Sequence, residues 1–199
     1  KMIASWRVST KASRTADEYG MVLYDLLRQR GVNFEDIDAC VMSSVAPALN
    51  YTIEHMCNDY IGKSPLIVSS DTDTGITLDY AQPTQLGTDR IVGAAAAYAI
   101  YGGPVIVVDF GSATTFNLVT KDGKFIGGAI APGIKTATES LVTTAAKLPR
   151  IELEKPQNIV GKDTKSCMQS GIVYGYTGLV KYMVEKYKQL EEMKGAKVV

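Results

Sequence analysis

The sequence predicts an α/β fold with parallel strands, built twice, and three observations carry that prediction. Strand-like and helix-like stretches alternate through the first half of the chain. A β-branched run, Val105-Ile106-Val107-Val108, ends in Asp109 and a turn of small and hydroxyl residues, Gly111-Ser112-Ala113-Thr114-Thr115. The element order after Val105 then repeats the order before it, provided the first copy lacks two leading strands. On this reading the chain is a duplicated fold whose first hairpin and last elements are missing.

In order, Met2 to Ser9 alternates loosely and reads as a strand. Thr15-Ala16-Asp17-Glu18 has capping-box spacing and opens a helix to about Arg30, with Gly31 as its stop. Ile37 to Ser43 reads as a buried strand, Leu49 to Ile61 as a helix and Pro65 to Ser69 as a further strand. Asp71 to Leu86 is polar and reads as a crossing loop. After Gly87-Thr88-Asp89-Arg90, the alanine-rich run Ile91 to Ile100 is a helix slim enough to be packed on several sides. Gly102-Gly103-Pro104 ends it before the strand to Asp109. Lys121-Asp122-Gly123-Lys124 is a hairpin signal, and Lys124 to Ile130 the returning strand. Ile134 to Lys147 reads as a threonine-weakened helix and Ile151 to Asp163 as a polar loop. Thr164 to about Met193 reads as a helix interrupted by Gly171, Gly175 and Gly178, and Lys197-Val198-Val199 as a strand beginning.

Bulk properties narrow the function classes. Of 199 residues, 46% are hydrophobic and 21% charged, the balance of an ordinary globular protein. Formal net charge is zero, so no electrostatic grip on nucleic acid or anionic lipid is expected. No apolar run approaches the ~20 residues of a membrane span, and the opening residues lack signal-peptide architecture. Cys40, Cys57 and Cys167 show no CxxC spacing. Neither a disulfide framework nor a zinc site is expected, and a reducing cytoplasm is the expected location.

Chemistry concentrates at two acids. From Asp89 a helix climbs about 20 Å at ~1.5 Å per residue, and the strand to Asp109 returns about 20 Å at ~3.3 Å per residue. Helix start and strand end are expected at a similar level, where a general base and a cation site suit the two carboxylates. Each has a plainer reading. Asp89 alone reads as a helix N-cap, Asp109 as a strand-end acid, Thr164 as an N-cap and Arg90 as half of a surface ion pair. His55 reads as structural. Asp109-Phe110-Gly111 spells a protein-kinase magnesium motif, but no Gly-rich loop, strand lysine or HRD triplet accompanies it, and there is no Walker A sequence.

These stretches resemble a known family. Gly87-Thr88-Asp89-Arg90, Asp109-Phe110-Gly111-Ser112-Ala113-Thr114-Thr115 and Gly127-Gly128-Ala129-Ile130-Ala131-Pro132-Gly133 are similar to signatures of type III pantothenate kinases. Trp6-Arg7-Val8-Ser9-Thr10, Arg14 to Glu18, Ser43-Ser44-Val45 and Lys147-Leu148-Pro149 also look like family stretches. The resemblance implies the acetate and sugar kinase/Hsp70/actin fold. It has two ribonuclease H-like domains, here 1–100 and 101–199, incomplete at both ends. It implies transfer of the ATP γ-phosphate to pantothenate, the first step of coenzyme A synthesis.

The resemblance also implies residue roles. Asp89 is the proton acceptor; Tyr80, Gly87, Thr88, Asp89, Arg90 and Thr164 contact the substrate. Ser112 contacts ATP, and Asp109 holds a monovalent cation, K+ or NH4+, with Mg2+ accompanying ATP. It implies a cytoplasmic homodimer with a shared substrate site. Family members carry an Asp-x-Gly-Asn-Thr phosphate loop before the first helix and a Gly-Gly loop beyond the terminal valines. Neither is in this sequence, so the chain by itself is expected to be inactive. Ser112 stands for the usual Thr, and Gln82 where Asn is common. The alternatives are a non-catalytic relative acting as a regulatory accessory factor, and another small-molecule kinase on the same fold.

Overall fold

The computed structural model describes residues 2–11 and 13–199. The chain packs as two compact units. One takes in the chain up to Thr72 together with Gly87–Asp89; the other comprises Asp73–Leu86 and Arg90–Val199. This division by packing differs from a boundary at residue 100, because the helix after Asp89 packs with the strands that follow it.

In the first unit, residues 2–9 have no regular structure where alternation predicts a strand. A strand needs a ladder partner, and none of the described strands pairs with this stretch; Met2 and Ile3 are 81% and 79% exposed. Helix α1, Ala16–Arg28, starts as expected. The Glu18 N–H donates to the Thr15 hydroxyl at 3.2 Å, and the Thr15 N–H to the Glu18 carboxylate at 2.8 Å. Strand β1 is only Val41–Met42, because its ladder with β2 is confined to the pairs Val41–Leu66 and Met42–Ile67. Helix α2, Pro47–Met56, continues through wider turns over Cys57–Ile61 and ends at Gly62, whose φ of 70° is left-handed. Strand β2, Leu66–Ile67, pairs parallel with β1, as the strand–helix–strand order predicts. The Tyr60 hydroxyl donates to the Asp17 carboxylate at 2.7 Å and ties the two helical segments. His55 has partners on its own helix: it stacks on Tyr51 and lies 3.4 Å from Asp59.

The second unit is organised by a five-stranded mixed sheet, with strands β3 (Thr77–Leu78), β4 (Val105–Phe110), β5 (Ala113–Val119), β6 (Lys124–Pro132) and β7 (Lys197–Val198) in the order β3-β6-β5-β4-β7. β4, β5 and β6 form an antiparallel meander, with β3 parallel to β6 and β7 parallel to β4. The stretch read as a crossing loop therefore supplies a strand. The Thr77 and Asp79 N–H groups donate to the Gly123 and Phe125 carbonyls, both at 2.9 Å. A two-residue strand made by its partner leaves no periodicity to read. The turn after Asp109 is also shorter than expected: β5 begins at Ala113, so only Gly111 and Ser112 turn.

Period-2 alternation divides the second unit's core. Val105, Val119 and Phe125 pack with Ile91, Ala94 and Ala97 of helix α3, Thr88–Tyr101. Ile106 and Leu118 pack with Met193 and Ala196, joined by Val184 and Tyr187. Helix α4, Ile134–Thr144, stops short of Lys147. The hydroxyls of Thr138, Thr143 and Thr144 bond back to carbonyls of the preceding turn, the competition that makes Thr a weak helix former. Helix α5, Thr164–Tyr187, runs through Gly171, Gly175 and Gly178 without a break. Each glycine costs only about 1 kcal/mol in a helix, and the burial of Met168 and Ile172 shows that tertiary packing supports the helix across them.

Candidate functional site

The turn Gly87-Thr88-Asp89 is built into the first unit by hydrogen bonds. The Thr88 hydroxyl donates to the Ser44 carbonyl at 3.1 Å and accepts from the Ser43 hydroxyl at 3.0 Å. Ser44 is itself held, donating to the Asn50 side chain at 2.5 Å and accepting from the Ala46 N–H at 3.1 Å. Because α3 begins at Thr88, Asp89 lies inside the first helical turn and is not the cap. Its carboxylate is exposed and folds back over Gly87. A Cβ on Gly87 would sit 2.5 Å from Asp89 Oδ1 and 3.6 Å from Val45 Cγ1. Glycine at 87 is therefore a condition for this placement of the acid.

One residue later the chain enters the second unit, and Arg90 is not the surface residue its charge suggests. It is 9% exposed. Its Nε donates to Asn117 Oδ1 at 2.6 Å, and its guanidinium carbon lies 5.6 Å from the Phe125 ring centroid. Tyr80 meets the same ring edge-on at 6.1 Å. Two residues named for substrate contact, Tyr80 and Arg90, thus share the fully buried Phe125. Asn117 and Phe125 were missed as site residues. The available signal was Asn117 itself, a lone amide between Phe116 and Leu118 in a strand otherwise apolar at that end.

Asp109 and Ser112 lie together at the β4–β5 turn, both exposed. The Ser112 carbonyl accepts from the Gly133 N–H at 3.0 Å and from the Thr136 hydroxyl at 2.8 Å. Gly133 is required by close approach: a Cβ there would lie 2.3 Å from the Gly111 carbonyl oxygen and 2.6 Å from that of Ser112. Across the turn, Asp109 is in register with Thr115. Among the described residues no group of three His, Cys, Asp or Glu side chains could hold a metal ion. Asp109 therefore belongs to no carboxylate cluster of the kind that chelates a divalent ion.

Thr164 is the first residue of α5, exposed, and not its cap. Asp163 caps the helix: its carboxylate accepts from the Ser166 N–H at 3.0 Å and the Ser166 hydroxyl at 2.7 Å. These bonds, the backbone one first, hold the Asp163 carboxyl below the usual range. The residues expected to form one site thus fall into a group in the first unit, Gly87 to Asp89, and three groups in the second. The latter are Tyr80 with Arg90, Asp109 with Ser112, and Thr164 at a helix start. No helix among the described residues is long and apolar enough to cross a membrane.

Comparison with known proteins gives a related solved structure and a matching family. A solved structure of a conserved Campylobacter jejuni protein, assigned to the Baf family of transcriptional activators, is 24% identical, with a TM-score of 0.43. That match covers 67% of this chain and 59% of the other, so this chain spans less than two thirds of that relative's length. The family model of type III pantothenate kinase matches residues 1–186. Because that match takes in nearly all of the 199 residues, the chain belongs to the type III pantothenate kinase family.

Proposed function

We propose that this protein transfers the γ-phosphate of ATP to the hydroxyl of pantothenate, giving 4'-phosphopantothenate for coenzyme A synthesis. The family match over residues 1–186, with Gly87-Thr88-Asp89-Arg90 intact, carries the reading. Asp89 accepts the hydroxyl proton. Phosphoryl transfer asks for positioning and charge stabilisation more than covalent chemistry, and an exposed carboxylate braced over Gly87 suits that work. Thr88, tied to Ser43 and Ser44, keeps the turn in place. Gly87, Thr88, Tyr80, Arg90 and Thr164 contact pantothenate, with Arg90 supplying a cation for its carboxylate.

The Ser112 hydroxyl faces the phosphates of ATP, which brings its own Mg2+. Asp109 holds K+ or NH4+, which when bound offsets phosphate charge. The fold is read as two ribonuclease H-like halves, 1–100 and 101–199. The parallel pair β1–β2 in one unit, and the meander followed by parallel β7 in the other, support that duplication. The enzyme acts in the cytoplasm as a homodimer with a shared substrate site. Supporting the dimer is an exposed apolar groove of about 850 Å3 between α4 and α5, lined by Ala137, Leu141, Met168, Ile172 and Leu179.

The test is ADP release by the full-length protein with pantothenate, with K+ present or absent, and with Asp89→Asn. Turnover that needs pantothenate and falls about a hundredfold or more in Asp89→Asn is expected. No turnover with pantothenate, or turnover indifferent to Asp89, overturns the reading.

A further inference from the structure

A chain of hydrogen bonds links Asn50, on α2, to the residue before the proposed base. Asn50 Oδ1 accepts from the Ser44 hydroxyl at 2.5 Å, and the same hydroxyl accepts from the Ala46 N–H at 3.1 Å. The Ser44 side chain is thereby fixed, and with it the loop between β1 and α2. That loop presents the Ser44 carbonyl to the Thr88 hydroxyl at 3.1 Å. It also brings Val45 Cγ1 to within 3.6 Å of where a Cβ on Gly87 would lie. Both contacts fall on the turn that ends in Asp89.

The direction of each bond follows from the atoms. A carbonyl oxygen only accepts, so the single proton of the Thr88 hydroxyl lies toward Ser44. The Ser43 hydroxyl, 3.0 Å away, is then the donor to Thr88. Thr88 Oγ1 is held from both sides and has no proton left to give a ligand, so its hydroxyl positions the turn. Asn50 calls for an account of its own, because asparagine is a weaker helix former than alanine or leucine. It does not cap α2 either: the helix starts at Pro47, with Ala46 in the cap position. What Asn50 supplies is an acceptor that keeps the Ser44 hydroxyl from turning.

We infer that Asn50 and Ser44 are positioning residues: through Thr88 they hold the turn that sets the Asp89 carboxylate for catalysis. This rests on the proposed function in taking Asp89 as the base. Asn50, Ser44 and Gly87–Asp89 belong to one packing unit, so the brace and the acid it serves are parts of one compact body.

The full-length protein is compared with Asn50→Leu, Asn50→Asp, Ser44→Ala, Thr88→Val and the double variant Asn50→Leu/Thr88→Val. The readouts are kcat and KM for pantothenate on the plateau of the pH profile, thermal melting, and amide hydrogen exchange through the turn before Asp89. Asn50→Leu keeps the bulk and removes the acceptor. It is expected to lower kcat about tenfold or more with little change in KM, and to speed exchange at the turn. Asn50→Asp keeps an acceptor for the Ser44 hydroxyl and is expected to restore most of kcat. Ser44→Ala keeps the carbonyl but frees the loop, and is expected to slow turnover as Asn50→Leu does. Because Asn50 and Thr88 act through one turn, the double variant is expected to be no slower than the slower single variant. A folded Asn50→Leu or Ser44→Ala with wild-type kcat overturns the inference, since a merely structural amide would lower the melting temperature alone. So does an Asn50→Asp as slow as Asn50→Leu, or a double variant in which the two losses multiply. A wild-type protein that turns over no pantothenate overturns the proposed function instead; unaltered exchange at the turn in Asn50→Leu overturns the brace whatever the turnover.

Discussion

The Thr88 hydroxyl donates to the Ser44 carbonyl at 3.1 Å, and this bond holds the turn before Asp89 against the loop that follows β1. Thr88→Val keeps the shape and removes the hydroxyl, leaving that carbonyl without the donor. A loss of about 1 kcal/mol in stability is expected, read as a lower denaturation midpoint. Thr88→Ser keeps the bond and is expected to lose less. Equal losses in the two variants would show that the hydroxyl is not what holds the turn.

Gly87→Ala tests the placement of the proposed base. The new Cβ would meet Asp89 Oδ1 at 2.5 Å, so the carboxylate has to move. The expected result is a fall in kcat of up to about a hundredfold, since a displacement near 1 Å has that leverage. The melting temperature should change little, because the neighbour that yields is an exposed side chain. Unchanged kcat would mean that this carboxylate position is not the working one.

Gly133→Ala should behave in the opposite way. Its Cβ would meet two backbone carbonyl oxygens, which cannot rotate aside as a side chain can. A cost of about 1–3 kcal/mol is expected, measured by urea denaturation. A variant as stable as wild type would show that the β4–β5 turn and the start of α4 separate easily.

At α5 the test is which residue caps the helix. Asp163→Ala is expected to lower the melting temperature at neutral pH, and Thr164→Ala to leave it nearly unchanged, because the capping bonds belong to Asp163. The Asp163 carboxyl is held low by the Ser166 N–H first and the Ser166 hydroxyl second. Its contribution is therefore present above the ordinary carboxylate range and lost as pH falls through its lowered value. The difference in melting temperature between wild type and Asp163→Ala should shrink in acid; a constant difference would rule out capping as its source.

The cysteines should separate by reactivity. Burial first, and the neighbouring Cys40 second, push the Cys57 thiol from 9.0 to about 11. Cys167 is exposed and Cys40 half-buried. Alkylation of the folded protein at about pH 8, followed by mass spectrometry, is expected to modify Cys167 first and Cys57 last. The raised value also means that stability is retained below the ordinary thiol value and declines as pH rises through about 11. Early modification of Cys57 would show that its pocket opens.

Much of the local structure was legible because its cause is local. The Thr15–Glu18 capping box, the Asp122-Gly123 hairpin and the β-branched strand that runs to Asp109 are written within a few residues and formed as read. Where pairing makes the element, the sequence was silent or misleading. Thr77–Leu78 became a strand through β6, while residues 2–9 had the alternation and no partner among the described strands.

The same division runs through the candidate site. By itself the sequence determined which chemistry is present: Asp89 beside Gly87, Asp109 before a hydroxyl turn, and the combination of motifs that places the chain in its family. Those are matters of residue type and spacing. Only the tertiary structure decided that Arg90 is buried on Phe125 and held by Asn117, and that Asp163 rather than Thr164 caps α5. Burial and hydrogen-bond direction depend on what packs from elsewhere in the chain. Asn117 lies far from Arg90 in sequence, and it is strand alternation that turns it toward the helix.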